Sequence, residues 1–327
     1  MKAKQWLGSV VLVLSAFFAG NTYAEDKQPR IVGGSLISIS DAPWQVFLRG
    51  VRGNTTISCG GSIIADNFIL TAAHCLYRLE DFTFTVYAGS AYWPNGTALP
   101  VTGRYLHPNY DDNTLDNDIA LLRISGTLPS TARSILLVDE ANQIAFNNEA
   151  ANGTADNLFV SGWGSTSQDG SGDTDDLMGV LMTGVPDNQC SWLIDGFGNY
   201  VPALGDITIC ANSTSNEGTC TGDSGGPLVW QDPSHAGDTD LGARLIGIVS
   251  YGLARECGNT GSPDGFAEVS HYLTWIAQTM DQNRIDDSGD DSGDGGSGGG
   301  GGGGSMGGLL TLSLFGLLYL SRRKHLS

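Results

Sequence analysis

Three short segments of the chain carry side chains that together can open an acyl bond. TAAHC places His74 beside Cys75, DNDIALL places Asp118 at the head of an apolar run, and GDSGGP sets Ser224 among glycines. A serine hydroxyl is a weak nucleophile and needs a base to take its proton. An imidazole base in turn needs a carboxylate that fixes its tautomer and stabilises its cation. All three types are present, although each taken singly also describes an ordinary turn or a satisfied polar residue.

The segments lie among elements of β character. From Ile31 to about Arg284 the chain runs through WQVFL, SIIADNFILTAAH, FTFTVYAG, DIALLRI, LFVSGWG and RLIGIVSYG, broken by Gly, Asn, Asp and Pro. That spacing predicts an antiparallel sandwich or barrel. In HYLTWIAQTMDQN, Leu273, Ile276, Ala277 and Met280 recur at helical spacing, which predicts one amphipathic helix closing the domain.

The ends of the 327-residue chain read differently. Residues 1–24 hold Lys2 and Lys4, an apolar run from Trp6 to Phe18 and the small-residue exit AGNTYA, the pattern of a secretory signal peptide whose core is short for a membrane span. An uncleaved anchor is the competing reading, disfavoured by the polar break at Gly20 to Thr22. Residues 285–305 are rich in Asp, Gly and Ser and form a linker, because such a composition buries no apolar surface. Residues 306–327 run from MGGLLTLSLFGLLYL into SRRKHLS, an apolar helix candidate whose basic cluster faces the cytoplasm by the positive-inside rule. A lipid-anchor signal normally ends apolar, without Arg322, Arg323 and Lys324. The glycine run, apolar helix and basic end resemble the GlyGly-CTERM sorting tail of Gram-negative bacteria. That resemblance implies rhomboid-type processing and type II secretion, with a plain membrane anchor as the alternative.

Export implies an oxidising compartment, so the even set Cys59, Cys75, Cys190, Cys210, Cys220 and Cys257 reads as three bridges, with spacing alone leaving all fifteen pairings open. Metal binding is the weaker reading, because CxxC and His-pair spacings are absent. The formal charge of −19 repels polyphosphate and argues against a nucleic-acid partner. Between Ile31 and Arg284 there is no Lys, so the folded body is itself acidic.

IVGG at Ile31, APWQV, TAAHC, DNDIALL, SGWG, CTGDSGGP and SYG occur in the order found in chymotrypsin/trypsin-like serine proteases of the PA clan, which the chain resembles over about residues 30–284. The resemblance implies an all-β fold of two packed six-stranded antiparallel barrels with a C-terminal helix. It implies an endopeptidase acting on protein and peptide substrates through an acyl-enzyme, as a monomer without cofactor or metal. His74 is then general base and acid, Asp118 orients it, and Ser224 attacks the scissile carbonyl. The N–H groups of Gly222 and Ser224 form the oxyanion hole, each donor lowering the barrier by about 3 kcal/mol. Ser250 and Gly252 hold the substrate backbone. Residues 25–30, EDKQPR, become a propeptide cut after Arg30 by the enzyme itself or another protease, and the new ammonium of Ile31 pairs with Asp223. The family pairing of cysteines is Cys59–Cys75, Cys190–Cys210 and Cys220–Cys257. A surface binding protein that has lost activity is the alternative from another class.

The family also assigns the pocket for the side chain before the cut to Gly218, Gly252 and Asp264. Gly218 stands where enzymes that cut after Arg or Lys usually carry Asp. Asp264 matches a position on an adjoining wall, as in invertebrate proteases with a swapped acid, some of them broad in preference. Gly252 leaves the mouth open to large side chains. A buried carboxylate favours a cationic guest, so Arg or Lys leads, with broad or chymotrypsin-like cleavage as the alternative should Asp264 face solvent. No calcium is expected at SAYWPNGTALP, which lacks a carboxylate, and QDGSGDTDD reads as a mobile loop with calcium as a lesser alternative.

Overall fold

The computed structural model describes residues 32–172, 174–193, 200–202, 206–252 and 257–284. The expected signal peptide, propeptide, linker and sorting tail lie outside these, as do Arg30 and Ile31. No described helix is long and apolar enough to cross a membrane.

Six strands build the first half: β1 (Gln45–Arg52), β2 (Thr55–Ala65), β3 (Phe68–Thr71), β4 (Thr83–Ala88), β5 (Thr97–Leu106) and β6 (Ala120–Ile124). They close into an antiparallel barrel in the order β1-β2-β3-β6-β5-β4. In β4, TFTVYA buries Phe84, Val86 and Ala88 while the residues between them stay partly or fully exposed, the two-residue period of a barrel wall. Four buried residues, FILT, make up β3.

The second half has β7 (Leu158–Gly162), β8 (Met178–Val185), β9 (Thr208–Asn212), β10 (Pro227–Gln231), β11 (Ala243–Tyr251) and β12 (Asp264–Glu268). Their order is β8-β9-β12-β11-β10-β7, and the pairing of β7 back onto β8 closes the ring. Two short strands attach outside it, Ser35–Leu36 on β8 and Leu136–Leu137 on β11. The expected pair of six-stranded barrels is therefore present.

The expected closing helix is α2 (Leu273–Gln282), with Ile276 buried. A second helix, which the sequence reading did not foresee, is α1 (Glu140–Ala151), capped by the Asp139 carboxylate, which accepts from Asn142 N at 2.8 Å. Its buried residues are Gln143, Phe146 and Ala150, whereas Ile144 is 56% exposed, so EANQIAFNNEAA has no apolar stripe for periodicity to detect. Phe146 packs edge-on against Trp230, 6.1 Å between ring centres, and fixes the helix on the second barrel.

Disulfides join Cys59–Cys75, Cys190–Cys210 and Cys220–Cys257, and no cysteine is free. Cys59, His74 and Cys75 cluster closely, but both sulfurs are spent in a covalent bond, so the metal reading of the cysteines falls. Between the barrels, Gly60 N donates to Ser224 O at 2.7 Å and Ser161 Oγ donates to Gln45 Oε1 at 2.8 Å.

Candidate active site

His74 follows β3 directly. The buried Ala72 and Ala73 and the Cys59–Cys75 bridge fix its backbone, leaving a side chain 27% exposed. Asp118 precedes β6 and is 1% exposed. Its Oδ1 accepts from His74 N at 2.8 Å, and its Oδ2 lies 2.7 Å from His74 Nδ1 and accepts from Ser250 Oγ at 2.5 Å. An ionised carboxylate only accepts, so the ring nitrogen facing it carries hydrogen and Nε2 is left as the basic site. Asn117, just before, takes the left-handed conformation at φ 57°, which Asn tolerates better than most residues.

Ser224 sits in the tight turn leading into β10. Gly222 and Gly225 flank it at φ 101° and 79°, and a Cβ on Gly225 would stand 2.2 Å from Thr71 Oγ1, so the turn requires glycine. The Cys75 sulfur lies 3.8 Å from His74 Nε2 and 3.7 Å from Ser224 O, which sets ring and serine in one neighbourhood. Among the described residues the Ser224 hydroxyl makes no hydrogen bond to the ring, a looseness usual before substrate arrives. The N–H groups of Asp223, Gly225 and Gly226 are all engaged, with Cys220 O, Val249 O and Asp223 O. Those of Gly222 and Ser224 have no partner among the described residues, leaving two nearby donors for an anion.

Asp223 is fully buried beneath them. Its Oδ1 accepts from Gly164 N at 2.9 Å and its Oδ2 from Cys220 N at 3.0 Å. Burial pushes its carboxyl up to about 7 against those two donors, and the nearby Asp264 adds to the rise. The SGWG segment acquires its reason here: a Cβ on Gly162 would stand 2.2 Å from Asp223 Oδ1, and one on Gly164 2.4 Å from its Cγ. Val32 is buried and its carbonyl accepts from Gly218 N at 3.2 Å, while Ile31 lies outside the described residues.

Gly218, Gly252 and Asp264 meet around one space. Asp264 opens β12 at 7% exposure and does not face solvent. A Cβ on Gly218 would stand 2.8 Å from Asp264 Oδ2, and one on Gly252 3.2 Å from Oδ1, so the carboxylate lies against both glycines and a side chain at either position would meet it. Thr219, which the sequence reading passed over, donates to Oδ2 through both N (2.7 Å) and Oγ1 (2.9 Å). Burial nevertheless pushes the Asp264 carboxyl up to about 6. Gly162, Gly164 and the Ser250 hydroxyl were also missed as parts of the site. The two glycines stood in view within SGWG, whereas nothing in the sequence links Ser250 to Asp118.

Two closed barrels, one supplying a carboxylate-bound imidazole and the other a serine beside two unengaged backbone donors, define a serine hydrolase of the two-barrel class. Residues 31–276 match the family model described as Trypsin, and the chain belongs to that family of serine endopeptidases. Trypsin alpha of Drosophila melanogaster is 36% identical over 277 residues, which is 83% of this chain and 97% of that protein. Trypsin alpha-4 of Lucilia cuprina is 36% identical over 251 residues, 76% of this chain and 86% of that protein. The solved structure of HL collagenase superposes with a TM-score of 0.61 at 28% identity, covering 77% of this chain and 99% of that one. Three disulfides and this family mark an extracellular protein acting on protein or peptide substrates.

Proposed function

We propose that the protein is an exported endopeptidase, made as an inactive precursor and freed by cleavage after Arg30, that cuts after Arg or Lys. The observation that carries the preference is Asp264: a carboxylate buried between Gly218 and Gly252 with no cation beside it among the described residues. A guanidinium or ammonium arriving on a substrate relieves its desolvation, which an apolar side chain does not.

In the reaction, Ser224 Oγ attacks the carbonyl carbon as its proton passes to His74 Nε2. Asp118 stabilises the resulting imidazolium without being protonated itself. The N–H groups of Gly222 and Ser224 receive the negative oxygen, and the imidazolium then protonates the leaving amine. Water repeats the sequence on the acyl-enzyme. The backbone at Ser250 and Gly252, at the end of β11, lines the substrate main chain. Before cleavage Asp223 is a buried carboxyl without a cation; the Ile31 ammonium supplies one and so orders the turn carrying both oxyanion donors. Residues 1–24 direct export. The tail from 306 engages a rhomboid-type sorting protease and the type II secretion machinery, and the protease works as a monomer.

A fluorophosphonate probe tests this reading. Labelling should appear on Ser224 only after cleavage at Arg30, disappear in Ser224→Ala, and accompany hydrolysis of Arg and Lys peptide anilides. Correctly processed protein that takes no label would overturn the catalytic reading in favour of a surface binding protein.

A further inference from the structure

The two oxygens of Asp264 are used unequally. Oδ2 takes both Thr219 donors, whereas Oδ1 faces the room beside Gly252 and has no protein donor among the described residues. Among the described residues the groups around it give no compensating charge. On the serine loop stand the buried Asp223 and, one residue before Gly218, Glu217, whose carboxylate accepts from Ser213 Oγ at 3.3 Å. On β11, Tyr251 shares a hydroxyl bond with Thr208 of β9 at 3.2 Å, and the β9 residue paired with Asp264 is the uncharged Ala211. Cys220 and Cys257 are joined and do not titrate. Arg255 and Glu256 lie outside the described residues.

We propose that a proton and a cationic side chain compete for Asp264, so that pH selects the substrate class. Ionised, Asp264 takes Arg or Lys; protonated, it leaves a neutral slot open to large apolar side chains. The inference rests on the specificity reading above and deepens it. Gly218 and Gly252 are what make the second state useful, since neither places a side chain across the slot. Thr219 is the positioning residue: it holds one oxygen and turns the other to the guest. Because burial already pushes this carboxyl up to about 6, the change falls in mildly acidic media rather than below pH 4.

The sign follows from linkage. A cation binds only the ionised form, so specificity for Arg falls as pH drops through the free-enzyme value, while an apolar guest gains. Any one pH profile also contains the pH dependence of the chemical steps, but the ratio of kcat/KM for two substrates cancels it, since both need the same triad.

The experiment measures kcat/KM of the processed protein for matched peptide anilides ending in Arg or in Phe, from pH 4.5 to 8.5. The Arg-to-Phe ratio should be level above pH 7 and fall about tenfold per unit at the acid end. In Asp264→Asn it should be low and flat. Thr219→Val, which loses one donor to the ionised form, should move the midpoint to higher pH, and Thr219→Ser should restore it. An Arg preference that stays level across the whole range overturns the proton competition but leaves the Arg/Lys reading intact. Efficient Phe cleavage without Arg preference at any pH overturns that reading instead. An unmoved midpoint in Thr219→Val removes Thr219 from the device.

Discussion

Replacing Asp118 with asparagine is expected to lower kcat by about 10⁴-fold with little change in KM, the scale this substitution reaches in the family's best-known triad. The geometry here explains why so small a change is so costly. Asp118 accepts three bonds, from His74 N, His74 Nδ1 and Ser250 Oγ. An amide has one accepting oxygen and one donating nitrogen. If the oxygen stays on His74 N, the nitrogen faces Nδ1 and forces that atom to accept. The ring hydrogen then moves to Nε2, where it blocks removal of the serine proton. At 1% exposure no bulk water substitutes for the lost acceptor. Steady-state kinetics on a peptide anilide, with a thermal melt showing that the barrels survive, checks the expectation. A loss below tenfold would mean that His74 is not held by Asp118 during turnover.

Gly164→Ala should also be damaging, although residue 164 is none of the three proposed catalytic residues. Its new methyl would stand 2.4 Å from Asp223 Cγ and Oδ2 and 2.6 Å from Oδ1. Asp223 has little freedom to retreat, because Cys220 N holds Oδ2 and the Gly162 backbone closes the other side. The turn bearing Gly222 and Ser224 must shift instead. Displacing even one of the two proposed oxyanion donors costs about 10²–10³ in kcat, and overpacking adds about 1–3 kcal/mol of destabilisation. Gly237→Ala, where nothing lies within 4 Å of the added atom, is the neutral control. Comparison of kcat/KM with the melting midpoint separates the two costs. Full activity in Gly164→Ala would show that the turn tolerates movement of Asp223.

These two cases also show what the sequence discloses. His74, Asp118 and Ser224 were legible because each sits in a short motif, and the motifs keep a fixed order. The barrel strands were legible where a run alternates, as in TFTVYA, or is apolar throughout, as in FILT. The helix α1 was not, because it buries Gln143 and exposes Ile144, and its place is set by the Asp139 cap and by Phe146 against Trp230. Thr219 and the Ser250 hydroxyl were invisible for another reason. Their bonds, to Asp264 and Asp118, close across 45 and 132 positions of chain, and only the pairing of distant strands brings those partners together. Position 264 was identifiable by match, but whether its carboxylate turned inward depended on glycines at 218 and 252 leaving space.

The disulfide pattern carries a consequence for how the molecule fails. Cys59–Cys75 lies wholly in the first half and the other two bridges wholly in the second. All six cysteines are used, so no covalent staple crosses the seam, which is held by packing and by bonds such as Gly60 N to Ser224 O. His74 and Asp118 stand on one side of that seam and Ser224 on the other. Parting the two halves would therefore separate base from nucleophile without breaking a single disulfide.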